Sequence, residues 1–409
     1  MATRDERQAG AAPDTPLRER WRMLALGFVG LNLSVALVLG TYGTLLSTVE
    51  QRFDVSRGTA TLPPSVAFLL MALLSPVVGT LLQRYPIRPL MMLGAAVNAA
   101  AAAGLVVTDN ITLFTLLYGV LGAGMAFLGL IGPFALVTRW FAEGRGKALA
   151  LLNMPLGFLI APLLGAYMVQ HHDLSRIYVL MAGLYVLAVP LMLLVKDPPG
   201  YRSAPADAGP GQAPRLFLRD RRFWVLALGI GMITGLAQAF SVHIIPYMTG
   251  MGIPLERAAA VMSLYGLCNI AGVYLFGMLI DKVTARNTLI ILSGMMTVMW
   301  LGVVAAMGLY SVVPPLLLLG CCIVAISVVQ GAAAAELFDA AEVNRVLGAC
   351  YLMKIPFTFT AAPVVGYLFV WSGGYGFPLG LATLLGVAAT ALFVLLRHLE
   401  TARLRPAPA

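Results

Sequence analysis

Apolar residues in this chain gather into twelve runs, at roughly 22–47, 62–82, 90–108, 113–138, 147–169, 176–195, 223–250, 258–280, 288–308, 312–335, 346–371 and 376–396. About 20 apolar residues suffice for one helical crossing of a bilayer. The pattern therefore predicts an all-α membrane protein with twelve transmembrane helices. Between the sixth and seventh runs the chain turns rich in Pro, Gly and charge (Lys196-Asp-Pro-Pro-Gly200, then Ser203 to Gly211), which marks a linker. The expected organisation is a polar tail (1–21), a six-helix bundle (22–195), a linker (196–222), a second six-helix bundle (223–397) and a second tail (398–409).

Composition narrows the class. The 409 residues are 60% hydrophobic and only 11% charged, with a mean hydropathy of +0.87, which excludes a soluble globular protein. The formal charge of +9 has a topological cause. With the N-terminus inside, only Arg52, Arg57, Arg176 and Arg257 fall on the outer side, and Lys354 falls within a span. The remaining Lys and Arg, 22 of 27, collect on the cytosolic side. Such asymmetry is the positive-inside pattern. It predicts cytosolic termini and gives no support to a nucleic-acid partner; the expected location is the bacterial inner membrane. No apolar segment precedes Trp21, so no cleaved signal peptide is expected. Cys268, Cys321, Cys322 and Cys350 all lie in spans without metal-ligand spacing and read as packing residues.

The two bundles repeat one another. Gly79-Thr-Leu-Leu-Gln83-Arg84-Tyr-Pro-Ile-Arg88 precedes Gly277-Met-Leu-Ile-Asp281-Lys282-Val-Thr-Ala-Arg286 by 198 residues. Asn153-Met-Pro155-Leu-Gly-Phe158-Leu-Ile-Ala161-Pro162-Leu-Leu-Gly165 aligns with Lys354-Ile-Pro356-Phe-Thr-Phe359-Thr-Ala-Ala362-Pro363-Val-Val-Gly366 at an offset of 201. Parallel six-helix repeats are a transporter architecture, with the substrate site between the halves.

Within that alignment Lys354 replaces Asn153. It is the single Lys or Arg placed inside a span, and no acid shares the hydrocarbon region with it. A charge at that depth costs at least about 2.5–3.5 kcal/mol and needs a partner or a task; here an anionic ligand fits the vacancy. Lys354 stands nine residues past Arg345, about 13–14 Å along a helix. Its stem also reaches toward the cytosol, so a snorkelling, structural lysine is the alternative. Tyr351 and Thr358 share its face. His243 in the seventh span reads either as a buried neutral histidine or as a proton-linked group. Gln238, Asn269, Asn32 and Gln330 are uncharged polar residues within spans, equally suited to bonding a neighbouring helix or facing a cavity. Tyr118, Tyr265 and Tyr274 are candidate stacking surfaces or core aromatics. The glycines of the fourth span serve close helix approach better than phosphate binding.

The turn Gly277-x-x-x-Asp281-Lys282-x-x-x-Arg286 resembles the loop between the second and third helices of each half in the major facilitator superfamily. Three further passages resemble its monocarboxylate-porter and oxalate/formate-antiporter group. They are Tyr42-Gly43 with Phe53-Asp-Val-Ser56-Arg57, Arg139-Trp140-Phe141-x-x-Gly144-Arg145-Gly146-Lys147-Ala148, and His243-Ile-Ile-Pro246-Tyr247-x-x-x-x-Gly252. The resemblance implies the major facilitator fold, two six-helix repeats, and a conformational latch at Arg84, Arg88, Asp281, Lys282 and Arg286. It also implies a carboxylate-binding lysine in helix eleven, matched by Lys354. The second carboxylate anchor of the oxalate branch, an arginine in helix eight, is replaced by Val273, which favours one anionic group plus a neutral or aromatic body. In the first-half loop Gln83 stands for the usual acid and Pro86 for the usual Gly.

The expected function is alternating-access transport of a small organic anion, a monocarboxylate, coupled to a proton or to exchange of another anion. Lys354 would pair with the carboxylate, while Asn269, Tyr351, His243, Gln238, Asn32, Tyr118 and Gln330 line or shape the site. The alternative is a multidrug or larger-metabolite carrier of the same fold in which Lys354 is structural. No enzyme motif such as H-E-x-x-H occurs in a span. No cofactor or metal is expected, the partners being the bilayer and the substrate around a monomeric carrier.

Overall fold

The computed structural model describes residues 16–141, 144–199, 216–339 and 342–404; the first tail up to residue 15, most of the linker and the last five residues lie outside these. Among the described residues, twelve helices are long and apolar enough to cross a membrane: α1 (Leu17–Gly40), α2 (Arg57–Arg84), α3 (Ile87–Val107), α4 (Ile111–Trp140), α5 (Arg145–His171), α6 (Leu174–Met192), α7 (Arg221–Gly250), α8 (Leu255–Val283), α9 (Ala285–Val304), α10 (Leu309–Leu337), α11 (Arg345–Ser372) and α12 (Gly376–Thr401). No strand occurs among the described residues. Helix is what a bilayer permits, because each backbone donor and acceptor must be satisfied within the segment.

Helix ends carry the sequence's punctuation. Asn110 caps α4 by accepting from the amides of Thr112 and Leu113 at 2.8 and 3.2 Å. Asp220 does the same for α7 through the amide of Arg222 at 2.8 Å. The first span begins at Leu17, ahead of the expected start, and after a π-helical turn at Ala36–Gly40 continues as Tyr42–Phe53. A second π-helical turn interrupts α4 at Ala126–Leu130.

Two apolar cores form. One joins α1 to α6 around a ring cluster of Tyr42, Phe114, Tyr118 and Tyr178; the other joins α7 to α12 around Phe240, Trp300 and Phe393. Outside these cores Leu187, Leu384 and Leu116 are more than half exposed, a surface suited to lipid.

The halves touch mainly at the membrane face opposite the termini and near mid-height. Beyond the π turn, Gly43 lies against the Ser241 carbonyl of α7. The start of α2 meets the end of α11 where Gly58 faces Gly366 and Tyr367. At mid-height Phe158 of α5 abuts Gly266 of α8. Ion pairs between described residues stay within one half: Glu50–Arg57, Arg52–Asp109 and Arg139–Asp197 in the first, Arg222 with Asp220 and Glu400, and Arg286–Glu336 in the second.

Candidate functional site

A cavity of about 200 Å³ lies between the halves. Its two walls differ in chemistry. The first half contributes Leu39, Gly40, Phe68, Pro155, Phe158 and Pro162, all apolar. Every polar lining group comes from the second half: Thr234, Gln238 and Ser241 on α7, Tyr265 and Asn269 on α8, and Ser327 on α10. Thr234 and Ser241 donate to carbonyls of their own helix, Ile230 at 2.7 Å and Gln238 at 2.8 Å. Asn269 donates to the Tyr265 carbonyl at 3.2 Å, while its own amide oxygen is buried without a hydrogen-bond partner. That orphan acceptor and the Gln238 amide supply polarity to a mostly apolar chamber, the usual build of a small-molecule site.

Lys354 is buried at 6% exposure, and among the described residues it has no ion-pair partner. Its Nζ sits 4.5 Å from the ring centroid of Tyr351, one turn away on the same face. The Tyr351 hydroxyl lies beside Ser327, a lining residue. Lys354 itself does not line the cavity here; it stands one ring behind the wall. The rotation of α11 that puts it there is fixed by Phe357, which seats against Gly231 and Gly235 of α7. A Cβ on Gly231 would come within 2.6 Å of the Phe357 ring.

The other expected residues distribute as follows. Gln238 and Asn269 line the cavity, and so does Tyr265. Gln330 is 1% exposed with both amide atoms unpartnered, in α10 one turn from Ser327. Asn32 is engaged inside its own half through both ends of its amide. Its Nδ2 donates to the Phe28 carbonyl at 3.1 Å and its Oδ1 accepts the Gly157 amide at 2.8 Å, where α5 breaks at Asn153–Pro155. Tyr118 is buried in the first core, its hydroxyl 3.0 Å from that of Tyr178. Tyr274 is 70% exposed. His243 lies toward the face opposite the termini, with Nε2 2.8 Å from the Ala362 carbonyl and Nδ1 3.0 Å from the Tyr375 hydroxyl.

Among the latch residues, Arg84, Asp281 and Lys282 are exposed. Arg88 donates to the Val195 carbonyl at 2.7 Å, and Arg286 pairs with Glu336 at 3.0 Å. Two clamps on the termini face were not foreseen from the sequence. Arg139 bonds Asp197 and the Leu82 carbonyl, and Asp197 also accepts the Ile87 amide at 3.0 Å. Glu336 takes the Ala285 amide at 2.7 Å, tying α10 to the start of α9. Each joins elements of one half, so they brace the halves internally in this state. No group of three or more His, Cys, Asp or Glu suited to a metal ion occurs among the described residues.

Comparison with known proteins follows this geometry. The Major Facilitator Superfamily model matches residues 28–354. The uncharacterised MFS-type transporter YcxA of Bacillus subtilis (strain 168) is 23% identical over 288 residues, covering 68% of this chain and 69% of its own. Protein TsgA of Shigella boydii is 20% identical over 290 residues, covering 68% and 71%. The crystal structure of a bacterial homolog to the human lysosomal transporter Spinster, inward-facing and unoccupied, superposes with a TM-score of 0.76 at 13% identity, covering 97% of this chain and all of that one.

Proposed function

The chain belongs to the Major Facilitator Superfamily, a family of membrane transporters and not of enzymes, and on that premise we propose that it carries a small organic anion, a monocarboxylate with an apolar or aromatic body. Lys354 carries the reading. It is a buried ammonium without an acidic partner among the described residues, one aromatic ring away from a chamber between the halves. A carboxylate brought to about 4 Å of such a cation gains roughly 4 kcal/mol at an effective dielectric near 20. The face of the Tyr351 ring holds the ammonium until then, an interaction of about 0.5–2 kcal/mol that an anion outcompetes.

The split walls orient the substrate. Its charged end turns to the second half, where Asn269, Gln238 and Ser327 offer hydrogen bonds, and its body rests on Phe158, Phe68 and the prolines of the first. A ligand that touches both walls favours a compact arrangement of the two halves, and its release lets them part. That differential contact is what alternating access requires. With the termini in the cytosol, as the charge asymmetry indicates, the face closed here is the outer one. No nucleotide-binding motif occurs in the sequence, so an ion or solute gradient supplies the energy.

One observation favours a second reading. Lys354 stands behind the cavity wall with its head on Tyr351, as a structural lysine in a carrier of larger or neutral compounds would. Thermal stability of the purified protein against a panel of small carboxylates separates the two. A ligand at one hundred times its Kd stabilises the folded state by about 2.7 kcal/mol. Stabilisation of the wild type by one carboxylate, weakened tenfold to hundredfold in Kd by Lys354→Gln, is the expected result; losing one charge-assisted hydrogen bond of about 1.5–3 kcal/mol produces that shift. Neutral compounds stabilising both proteins equally would refute the anion reading.

A further inference from the structure

On the face opposite the termini, a hydrogen-bonded chain crosses from one half to the other. Glu50 grips Arg57 with two bonds of 2.6 and 3.0 Å, both residues belonging to the first half. The Arg57 guanidinium then reaches the second half. It lies 4.2 Å over the Phe369 ring and donates to the Tyr375 hydroxyl at 3.1 Å. Tyr375 is in turn 3.0 Å from Nδ1 of His243, whose Nε2 is 2.8 Å from the Ala362 carbonyl.

The partners dictate where each hydrogen sits. A carbonyl only accepts, so Nε2 of His243 carries the hydrogen and, in the neutral ring, Nδ1 is bare. Tyr375 therefore donates to Nδ1 and accepts from Arg57. Burial pushes the Tyr375 phenol up to about 12, against the pull of Arg57, so it keeps its proton at ordinary pH. The chain runs one way, from cation to carbonyl, and is complete only while His243 is neutral.

We propose that His243 is the site of a coupled proton, and that its protonation releases the Arg57–Tyr375 tether that closes this face. The proposal rests on the carrier reading but not on the nature of the substrate. A depression of about 710 Å³, lined by Arg57, Tyr247 and Tyr375, supplies the route. A proton arriving there forms a bond to the Tyr375 oxygen as the hydrogen already on it passes to Nδ1. The product is an imidazolium and a neutral phenol, so charge and atoms balance. Both Nδ1–H and the Arg57 N–H now point at one oxygen, whose own hydrogen has lost its acceptor. Two cations then share a single acceptor, and the contact between the halves gives way.

The surroundings offer the imidazolium no compensation. Glu50 is engaged by Arg57. Tyr247, one turn along α7, spends its hydroxyl on the Val303 carbonyl at 2.7 Å. Around the small void beside His243, α9 presents Trp300, α11 presents Val365 and α12 presents Pro378, Leu379 and Ala382, none of them titratable. Protonation is thus opposed while this face is closed and allowed once it opens, which couples the proton to the conformation.

Spin labels at Gln51→Cys and Glu256→Cys, exposed positions in opposite halves, report the separation of this face in a background without the four native cysteines. Lowering pH from about 7.5 to 5.5 spans the ordinary titration of histidine. It should raise the long-distance population on the order of tenfold, the effect of losing one charge-assisted hydrogen bond. His243→Gln should abolish the response. Tyr375→Phe, at a less buried position, should show the long-distance population at both pH values. A pH response that survives in His243→Gln, a wild type without one, or a Tyr375→Phe protein as closed as wild type would each overturn the proposal. No organic anion is needed for the measurement, so its failure is distinct from failure of the anion reading.

Discussion

Gly366→Ala should move this carrier between its conformations while leaving each half folded. A Cβ there would sit 2.7 Å from the Cα of Gly58, 2.8 Å from its nitrogen and 3.0 Å from the carbonyl carbon of Arg57. All three are backbone atoms, so no rotamer change relieves the clash, and α2 must draw away from α11. Overpacking of this kind costs about 1–3 kcal/mol. Gly58 and Gly366 belong to different halves, so the cost falls only on the state in which they touch. Population then shifts roughly 5-fold to 150-fold toward the state open on this face. The assay is alkylation of Ser241→Cys, just inside the contact, by an impermeant reagent supplied from the face opposite the termini. Its rate should rise by that factor in Gly366→Ala. A variant that melts earlier but labels at the wild-type rate would refute the reasoning, because the clash would then burden both states alike.

Three stability measurements probe the polar groups. Gln330→Leu should leave thermal unfolding unchanged or raise the midpoint, since replacing a buried amide without partners by an apolar group of similar volume removes a desolvation cost of about 1–3 kcal/mol; a lower midpoint would show that the amide is satisfied after all. Asn32→Ala should destabilise the protein by about 1 kcal/mol or more by stranding the Gly157 amide at the break in α5, and an unaltered midpoint would mean that another group takes over. Glu336→Ala should cost about 1–2 kcal/mol, most of it the lost helix cap, and Glu336→Gln should recover over half, because the partly exposed pair with Arg286 is worth at most about 1 kcal/mol.

Much of the architecture was legible because span length is a strong signal. A run of apolar residues has one use at twelve repetitions, and the helices fall on those runs. Their ends were less legible: α1 starts at Leu17 among charged residues, where hydropathy alone gives no reason to begin. The site was legible in part. Lys354, Asn269 and Gln238 stand out because a charge or an amide in a span is costly enough to need explanation. Thr234, Ser241 and Ser327 did not stand out, since hydroxyls in spans usually bond back to their own helix, as the first two do here. Arg57 was visible as one of few cations on its side and as the end of a passage that carries the family resemblance, but not as a link between the halves. Its partners Phe369 and Tyr375 are more than 300 residues away in the chain, and nothing local in the sequence announces such a pairing.

The two repeated passages differ in how they meet their polar groups. At the aligned positions Asn153 and Lys354 the two copies solve one backbone problem differently. In the first half α5 leaves the helix at Asn153–Pro155, and the freed polar groups are absorbed locally: Asn153 bonds the Leu149 carbonyl at 2.9 Å and Asn32 takes the Gly157 amide. The first half's wall of the cavity is apolar, and Asn98, whose buried Oδ1 has no hydrogen-bond partner, does not line it. In the second half α11 runs unbroken through Pro356 and Pro363, each of which removes one amide donor without ending the helix. Side chains buried there without a hydrogen-bond partner include Asn269 at its amide oxygen and Gln330 at both amide atoms, and the Lys354 ammonium is buried without an acidic partner among the described residues. Among the described residues most of the unpartnered buried polarity thus lies in the second half, while the first half's wall of the cavity is apolar. Such a division suits an amphipathic ligand that must be held from both sides and released when they part. It also gives Asn153→Lys a defined expectation: a cation on the exposed break, near solvent and without a wall to act on, should bind no anion and leave Kd for any carboxylate ligand within about twofold of wild type, as surface substitutions away from a site do.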